Sequence, residues 1–300
     1  DGTAAGTDYT QDFGITINPP PSGTQMIRAI NSVNVPFRYV PAGSFRRDSG
    51  AANITTITKG YWMGETEVTQ ELFEAVMGIN PSSFTSGADS GETQNQRPVE
   101  NVSWYDAIAF CNKLSLLGNK EPVYSVSGVT DWNTVTIPTS GDATWNAADM
   151  DTTKNGYRLP TEMEWMWAAM GADTANPGQL NTTGYDKAFA GSTGSNSIGD
   201  YAWYDSNSGN KTHEVGKKAA NELGLYDMSG NVREWCWDWY GAYGSGSQAD
   251  PRGAPMGTTE RIRRGGSWID SASHAGLASR YSNSPFITGA YYGFRVVCAP

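Results

Sequence analysis

Cysteine and histidine are both scarce in this 300-residue sequence, which has three of the first and two of the second. Cys111, Cys236 and Cys298 are odd in number and include no Cys-x-x-Cys pair. That excludes a disulfide framework and a structural thiolate zinc site, and leaves room for one bridge at most. Buried free thiols are the expectation. Charge is sparse too, at 17% of residues, with 21 Lys and Arg against 31 Asp and Glu. The net charge is −10, and the isoelectric point is about 4.7. A nucleic-acid binder needs a basic face to displace counterions, so nucleic acid and anionic membrane surfaces are poor partners. The one basic cluster, Arg261, Arg263 and Arg264, runs into Gly265-Gly266 and reads as a core-framing strand that needs no ligand. No apolar run approaches the roughly 18 residues of a membrane span, so direct insertion is not expected of this chain.

Aromatic and turn-forming residues are plentiful. Hydrophobic residues make up 38% of the chain, and 11 Trp with 15 Tyr predict a core built on large rings. Thirty-five Gly and 15 Pro predict much ordered loop. Residues 1–33 open Gly/Thr/Asp-rich, pass through Pro19-Pro20-Pro21, and read as a tether with any signal peptide or lipid anchor upstream. Residues 34–300 read as one domain, without repeats. Phe37-Arg38-Tyr39-Val40 predicts a strand. Thr69 to Gly78, Ser103 to Gly118 and Thr161 to Gly171 each carry the cap and stop of a short helix, with apolar residues at helical spacing. Residues 119–156 read as a hairpin-rich surface excursion around Val126, Val129, Val135 and Ile137.

A series of phrases stands in order along the chain: Tyr39-Val40-Pro41-Ala42-Gly43-Ser44-Phe45, Glu67-Val68-Thr69, Arg97-Pro98-Val99, Val102-Ser103-Trp104 and Arg158-Leu159-Pro160-Thr161-Glu162. Near the end come residues 224–235 (GLYDMSGNVREW), Arg264-Gly265-Gly266-Ser267-Trp268 and Gly293-Phe294-Arg295. Over about residues 35–298 this series resembles the formylglycine-generating-enzyme (sulfatase-modifying factor) family. The resemblance implies an α+β, C-type-lectin-like fold of that type, loop-rich with few regular elements.

The family's chemistry does not follow. Its enzymes use two cysteines after the Gly-Gly-Ser-aromatic phrase, with copper and oxygen, to oxidise a substrate cysteine. Those positions are Asp270 and Ala275 here, so no thiolate is offered to a soft metal. The related iron-dependent sulfoxide synthases need a histidine cluster. His213 and His274 stand alone, read as surface residues, and do not predict a shared metal. No catalytic residue is assigned and no cofactor is required. The resemblance does imply a calcium ion at Asp227, Gly230, Val232 and Glu234, two carboxylates and two carbonyls suited to a hard cation. Alternatively, these carboxylates satisfy loop amides. At a second family calcium site Trp203 stands in place of an amide ligand.

Between Trp268 and Gly293 lie 24 residues, IDSASHAGLASRYSNSPFITGAYY. They contain no Lys, Glu, Gln, Met or Trp, types the chain uses 48 times in all. Codons ending in a pyrimidine encode none of those five. The residues present are instead those reached by changing the adenines of an AAC or AAT codon. Framed by Gly-Gly-Ser-Trp and Gly-Phe-Arg, the pattern resembles the variable region of diversity-generating-retroelement variable proteins, where template adenines are randomised on copying. The expected ligand-contacting positions are Ile269, Asp270, Ser271, Ser273, His274, Ser279, Tyr281, Ser282, Asn283, Ser284, Phe286, Ile287, Thr288, Gly289, Ala290, Tyr291 and Tyr292. Ala272, Ala278, Arg280 and Pro285 read as scaffold, with Ala275, Gly276 and Leu277 open. Rigid aromatics among small polar residues are what a paratope uses.

The expected function is therefore non-catalytic display. A diversified C-terminal surface would recognise variable protein or other macromolecular ligands, at a bacterial cell surface or outer membrane. The alternative is a divergent oxidoreductase of the enzyme family, for which Asp270 with His274 is the best catalytic pair. An ordinary sugar-binding lectin would need Glu-Pro-Asn or Gln-Pro-Asp and Trp-Asn-Asp phrases, which are missing.

Overall fold

Helices begin where side chains cap free amides. The computed structural model describes residues 18–255 and 258–300. Thr69 accepts a hydrogen bond from the Leu72 amide at the start of α1 (Gln70–Met77), and Gly78 ends it at φ +77°. Reciprocal capping boxes, Ser103 with Asp106 and Thr161 with Glu164, open α2 (Trp104–Leu117) and α4 (Glu162–Ala169). Between them α3 (Ala143–Asn146) is one turn capped by Asp142. The remainder is short strands and loops, as the α+β expectation requires.

Three sheets organise the chain. The largest runs in the order Gln25–Ile30, Val33–Val40, Tyr61–Gly64, Val297–Cys298, Tyr157–Arg158, all antiparallel. Strand Gln25–Ile30 corrects the expected boundary at residue 33. Met26 and Ile30 face inward against the body, so the fold starts near residue 23, where the Gly23 amide donates to the Tyr39 carbonyl. Residues 1–17 of the expected tether lie outside the described residues. A second sheet orders Tyr281–Asn283, Arg261–Arg264, Arg233–Trp239 and Tyr292–Gly293, and so carries the middle and the C-terminal end of the anomalous segment. A third joins Gln248–Ala249, Ile54–Ile57, Gly43–Arg46 and Leu180–Asn181.

Two aromatic clusters fill the interior. One holds Trp104, Tyr105, Phe110, Trp235 and Phe294; the other holds Phe45, Trp165, Trp167 and Leu277. The three cysteines are buried and free. Arginine is part of the core as well. Arg261 lies between the rings of Trp104 (3.8 Å) and Trp239 (3.6 Å), and Arg263 lies over Tyr292 (3.8 Å). The strand Arg261–Arg264 is thus the framing element its sequence suggested.

The excursion at 119–156 is less a surface feature than expected. It makes a single two-residue ladder, Tyr124–Ser125 with Asp149–Met150. Val126, Trp132, Trp145 and Met150 are buried, and Val129, Val135 and Ile137 pack against the first cluster. Among the described residues no helix is long and apolar enough to cross a membrane.

Candidate binding surface

Residues 269–292 are held mainly through their backbone. The buried Arg264 donates to the carbonyls of Leu277 (2.6 Å) and Ser279. Ser229 Oγ donates to the Ala275 carbonyl (2.9 Å), Trp268 Nε1 to that of Ala290 (2.8 Å), and the Trp104 amide to that of Pro285 (2.9 Å). A carbonyl is the same whatever side chain accompanies it, so these bonds fix the path without fixing residue type. Gly266 turns the chain out of the core at φ +73°, and a Cβ there would meet the His274 carbonyl at 3.0 Å. Ala275, Leu277 and Pro285 are buried. Arg280 forks onto Glu162 (both bonds 2.7 Å) and behaves as scaffold.

The side chains reach solvent to different degrees. Of the expected contact positions, Ile269, Ser273, His274 and Thr288 are exposed, Ile269 by 50%. Ser271, Ser279, Tyr281, Ser282, Asn283, Ser284, Phe286, Ile287, Gly289, Ala290 and Tyr291 are partly buried. Phe286, Ile287 and Tyr291 lean on the core cluster and turn their remaining surface to solvent. A groove of about 500 Å³ runs alongside, between Phe189 and Ile198 on one side and Ala272, Ser273 and Ser279 on the other.

Asp270 and Tyr292 are corrections, because both are inside, 8% and 4% exposed. Asp270 accepts from Ser267 Oγ (2.6 Å) and Arg233 Nε (2.9 Å), with a second contact from Arg233 Nη2. Tyr292 packs on Trp235. The expected catalytic pair also dissolves, since Asp270 is spent on Arg233, whereas His274 Nδ1 meets Ser271 Oγ (3.3 Å). Arg233 itself escaped sequence reading. Its guanidinium lies 4.2 Å over Tyr281 and 5.4 Å from the Tyr291 ring, a cation set among the display aromatics. Its signal was its place in the stretch 224–235, directly before Glu234. Burial, followed by the Asp270 charge, pushes the Tyr281 hydroxyl up to about 12, so it stays a neutral hydrogen-bonding group.

His213 is a further correction. It is buried at 2% exposure and stacks on Trp203 (3.7 Å) instead of lying on the surface. The residues implied for calcium are placed unevenly. Asp227 Oδ2 accepts from the Gly216 amide (2.7 Å), while its buried Oδ1 has no partner. Burial, the largest cause, raises the Asp227 carboxyl to about 6. Both oxygens of Glu234 are instead held by Arg295 (2.7 and 2.6 Å), with Trp165 Nε1 adding a bond of 2.8 Å. Asp227 thus keeps one carboxylate oxygen without a partner, whereas both oxygens of Glu234 are paired with Arg295.

The sulfatase-modifying factor enzyme 1-like domain matches residues 32–300. The chain belongs to that family. The chaperone protein LppX of Paenibacillus barcinonensis is 35% identical over 279 residues, 86% of this chain and 87% of that one. The formylglycine-generating enzyme of Thermomonospora curvata is 35% identical over 170 residues, 52% and 54% of the two chains. Among solved structures, Treponema denticola variable protein 1 superposes with a TM-score of 0.82 at 42% identity, covering 92% of this chain and 99% of that one. The fold and the family are therefore those the motifs indicated, and the likeness to a variable protein extends over the whole domain.

Proposed function

We propose that this chain is a non-catalytic binding protein. Its surface from Ile269 to Tyr291, centred on Arg233, recognises protein or other macromolecular ligands that differ between variants, at a bacterial cell surface. The observation that carries this reading is the division of labour in the segment. The body grips its carbonyls, while fifteen of its seventeen expected contact positions reach solvent. Likeness to a protein named as variable supports diversification. The name of the chaperone relative supports a role exercised by binding. Against the oxidoreductase reading stand Asp270 and Ala275 at the two thiol positions, and three cysteines whose thiol pKa values burial raises. We propose further that calcium, where bound, is structural and rests on Asp227.

The deciding experiment compares this locus across isolates and with any near-copy of the segment nearby. Differences confined to adenine positions of the copy, and to residues 269–292, are expected. An invariant segment, or differences spread evenly over the chain, refutes diversification. Incubation with copper, oxygen and a cysteine peptide is expected to give no aldehyde, and turnover refutes the non-catalytic half.

A further inference from the structure

His213 is held in one tautomer by a neighbour that can only accept. Its Nε2 lies 2.7 Å from the Ser208 carbonyl, so Nε2 carries the hydrogen. In the neutral ring Nδ1 then presents a lone pair, and it faces Glu92 Oε1 at 2.7 Å and Asp89 Oδ2 at 3.7 Å. Acceptors that close repel unless a positive centre is shared among them. A proton on Nδ1 would serve Glu92 Oε1 alone. It would leave Glu92 Oε2, which is buried and without a partner on a side chain only 8% exposed. Other cations nearby do not fill the gap. Lys211 Nζ contacts the opposite oxygen of Asp89, Oδ1, and Arg97 donates to the Ser86 carbonyl (3.1 Å) and that of Gly87 (3.3 Å).

We propose that Asp89, Glu92 and His213 bind a divalent transition metal, of which zinc is the type. One atom from each residue lies within 4.8 Å of the others, and His213 Nδ1 is 2.7 and 3.7 Å from the two carboxylate oxygens, so small side-chain shifts bring all three to bonds of about 2.0–2.2 Å at one centre. The imidazole nitrogen selects a borderline ion over calcium or magnesium, which take oxygen. The Nε2–H bond to Ser208 and the Trp203 ring stacked 3.7 Å away supply the outer contacts that orient a ligating histidine. The proposal rests neither on the calcium proposed at Asp227 nor on diversification of the neighbouring surface.

Its position gives it a task. Asp89 and Glu92 belong to the loop whose Phe84 ring meets Trp268 edge-on at 5.4 Å, and Ser208 Oγ donates to the Trp268 carbonyl (2.8 Å). A metal here clips together the two loops that brace the residue from which segment 269–292 departs.

The test uses the whole chain, stripped with a chelator, labelled with ¹⁵N-histidine and titrated with Zn²⁺ alone at pH 8. Only two histidines report. The expected result is an Nε2–H tautomer at His213 whose Nδ1 resonance shifts on zinc addition, with one zinc retained per chain and a rise in melting temperature. Asp89→Asn and Glu92→Gln, which keep side-chain shape, are expected to abolish retention while remaining folded. A His213 ring that is doubly protonated at pH 8 and indifferent to zinc overturns the proposal. So does zinc retention that survives both substitutions, or that shifts His274 alone.

Discussion

Asp270 shows how far a neighbour distant in sequence outweighs local composition. It sits among display residues and looks like one, yet Arg233, on the strand Arg233–Trp239, closes on it as a largely buried ion pair. Removing one member of such a pair leaves the other charge uncompensated, at a cost of about 3 kcal/mol. Asp270→Ala is therefore expected to lower the free energy of unfolding by that order in urea titrations, and a loss below about 1 kcal/mol would return Asp270 to the free surface. Asp227 supports a prediction in pH. Its carboxyl is raised from 3.8 to about 6 in the fold, so between those values the folded chain keeps a proton that the unfolded chain has released. Its contribution is complete below 3.8, falls as pH rises through 6, and amounts to about 3 kcal/mol. In a calcium chelator, Asp227→Asn is expected to remove that fall from the wild-type profile, and in wild type calcium is expected to restore stability above pH 6. Identical wild-type and variant profiles would contradict both.

Elements with local signals were legible, and elements defined by distant contacts were not. The caps of α1, α2 and α4 stand three residues from their partners, and Thr69, Ser103 and Thr161 occupy the expected positions. The first strand was missed because Ile27, 60% exposed, breaks the alternation that Met26 and Ile30 would otherwise announce. In 119–156 the apolar residues are scattered among Ser, Gly and Asn with no helical or strand period. Their burial depends on α2, whose Asn112 exchanges side-chain bonds with the backbone of Tyr124. His213 was misplaced for a like reason, since Glu92 lies 121 positions away. Ser103→Ala removes a capping box and is expected to cost about 1 kcal/mol of stability by chemical denaturation. Arg264→Leu keeps the apolar stem but releases the carbonyls of Leu277 and Ser279. Amide exchange at residues 275–284 should then quicken by more than in the sheet Gln25–Val40, and a uniform change would argue against local anchoring.

At the scale of the molecule, the family phrases located the framework because they are the residues that grip other chain segments. Arg264 holds the segment, Arg295 neutralises Glu234, and Trp268 holds Ala290. A surface assembled on such a frame has a testable signature, which is that tolerance should follow exposure and not position in the chain. The quadruple variant Ile269→Ser, Ser273→Tyr, His274→Asn, Thr288→Tyr changes only exposed side chains, each expected to shift stability by no more than about 0.5 kcal/mol. Together they amount to at most about 2 kcal/mol, which for a domain of this size is about 5 °C of melting temperature. Leu277→Ser, in the same segment but wholly buried, removes an apolar side chain from the second cluster and leaves a hydroxyl inside. Its cost is about 4 kcal/mol, near 10 °C of melting temperature. Calorimetry of the two chains side by side separates the possibilities. If the quadruple variant melts as early as Leu277→Ser, the outer side chains are structural and cannot be exchanged freely, so the segment is no display surface. If it melts with the wild type, four positions have been rewritten at once while the body that grips their backbone remained intact.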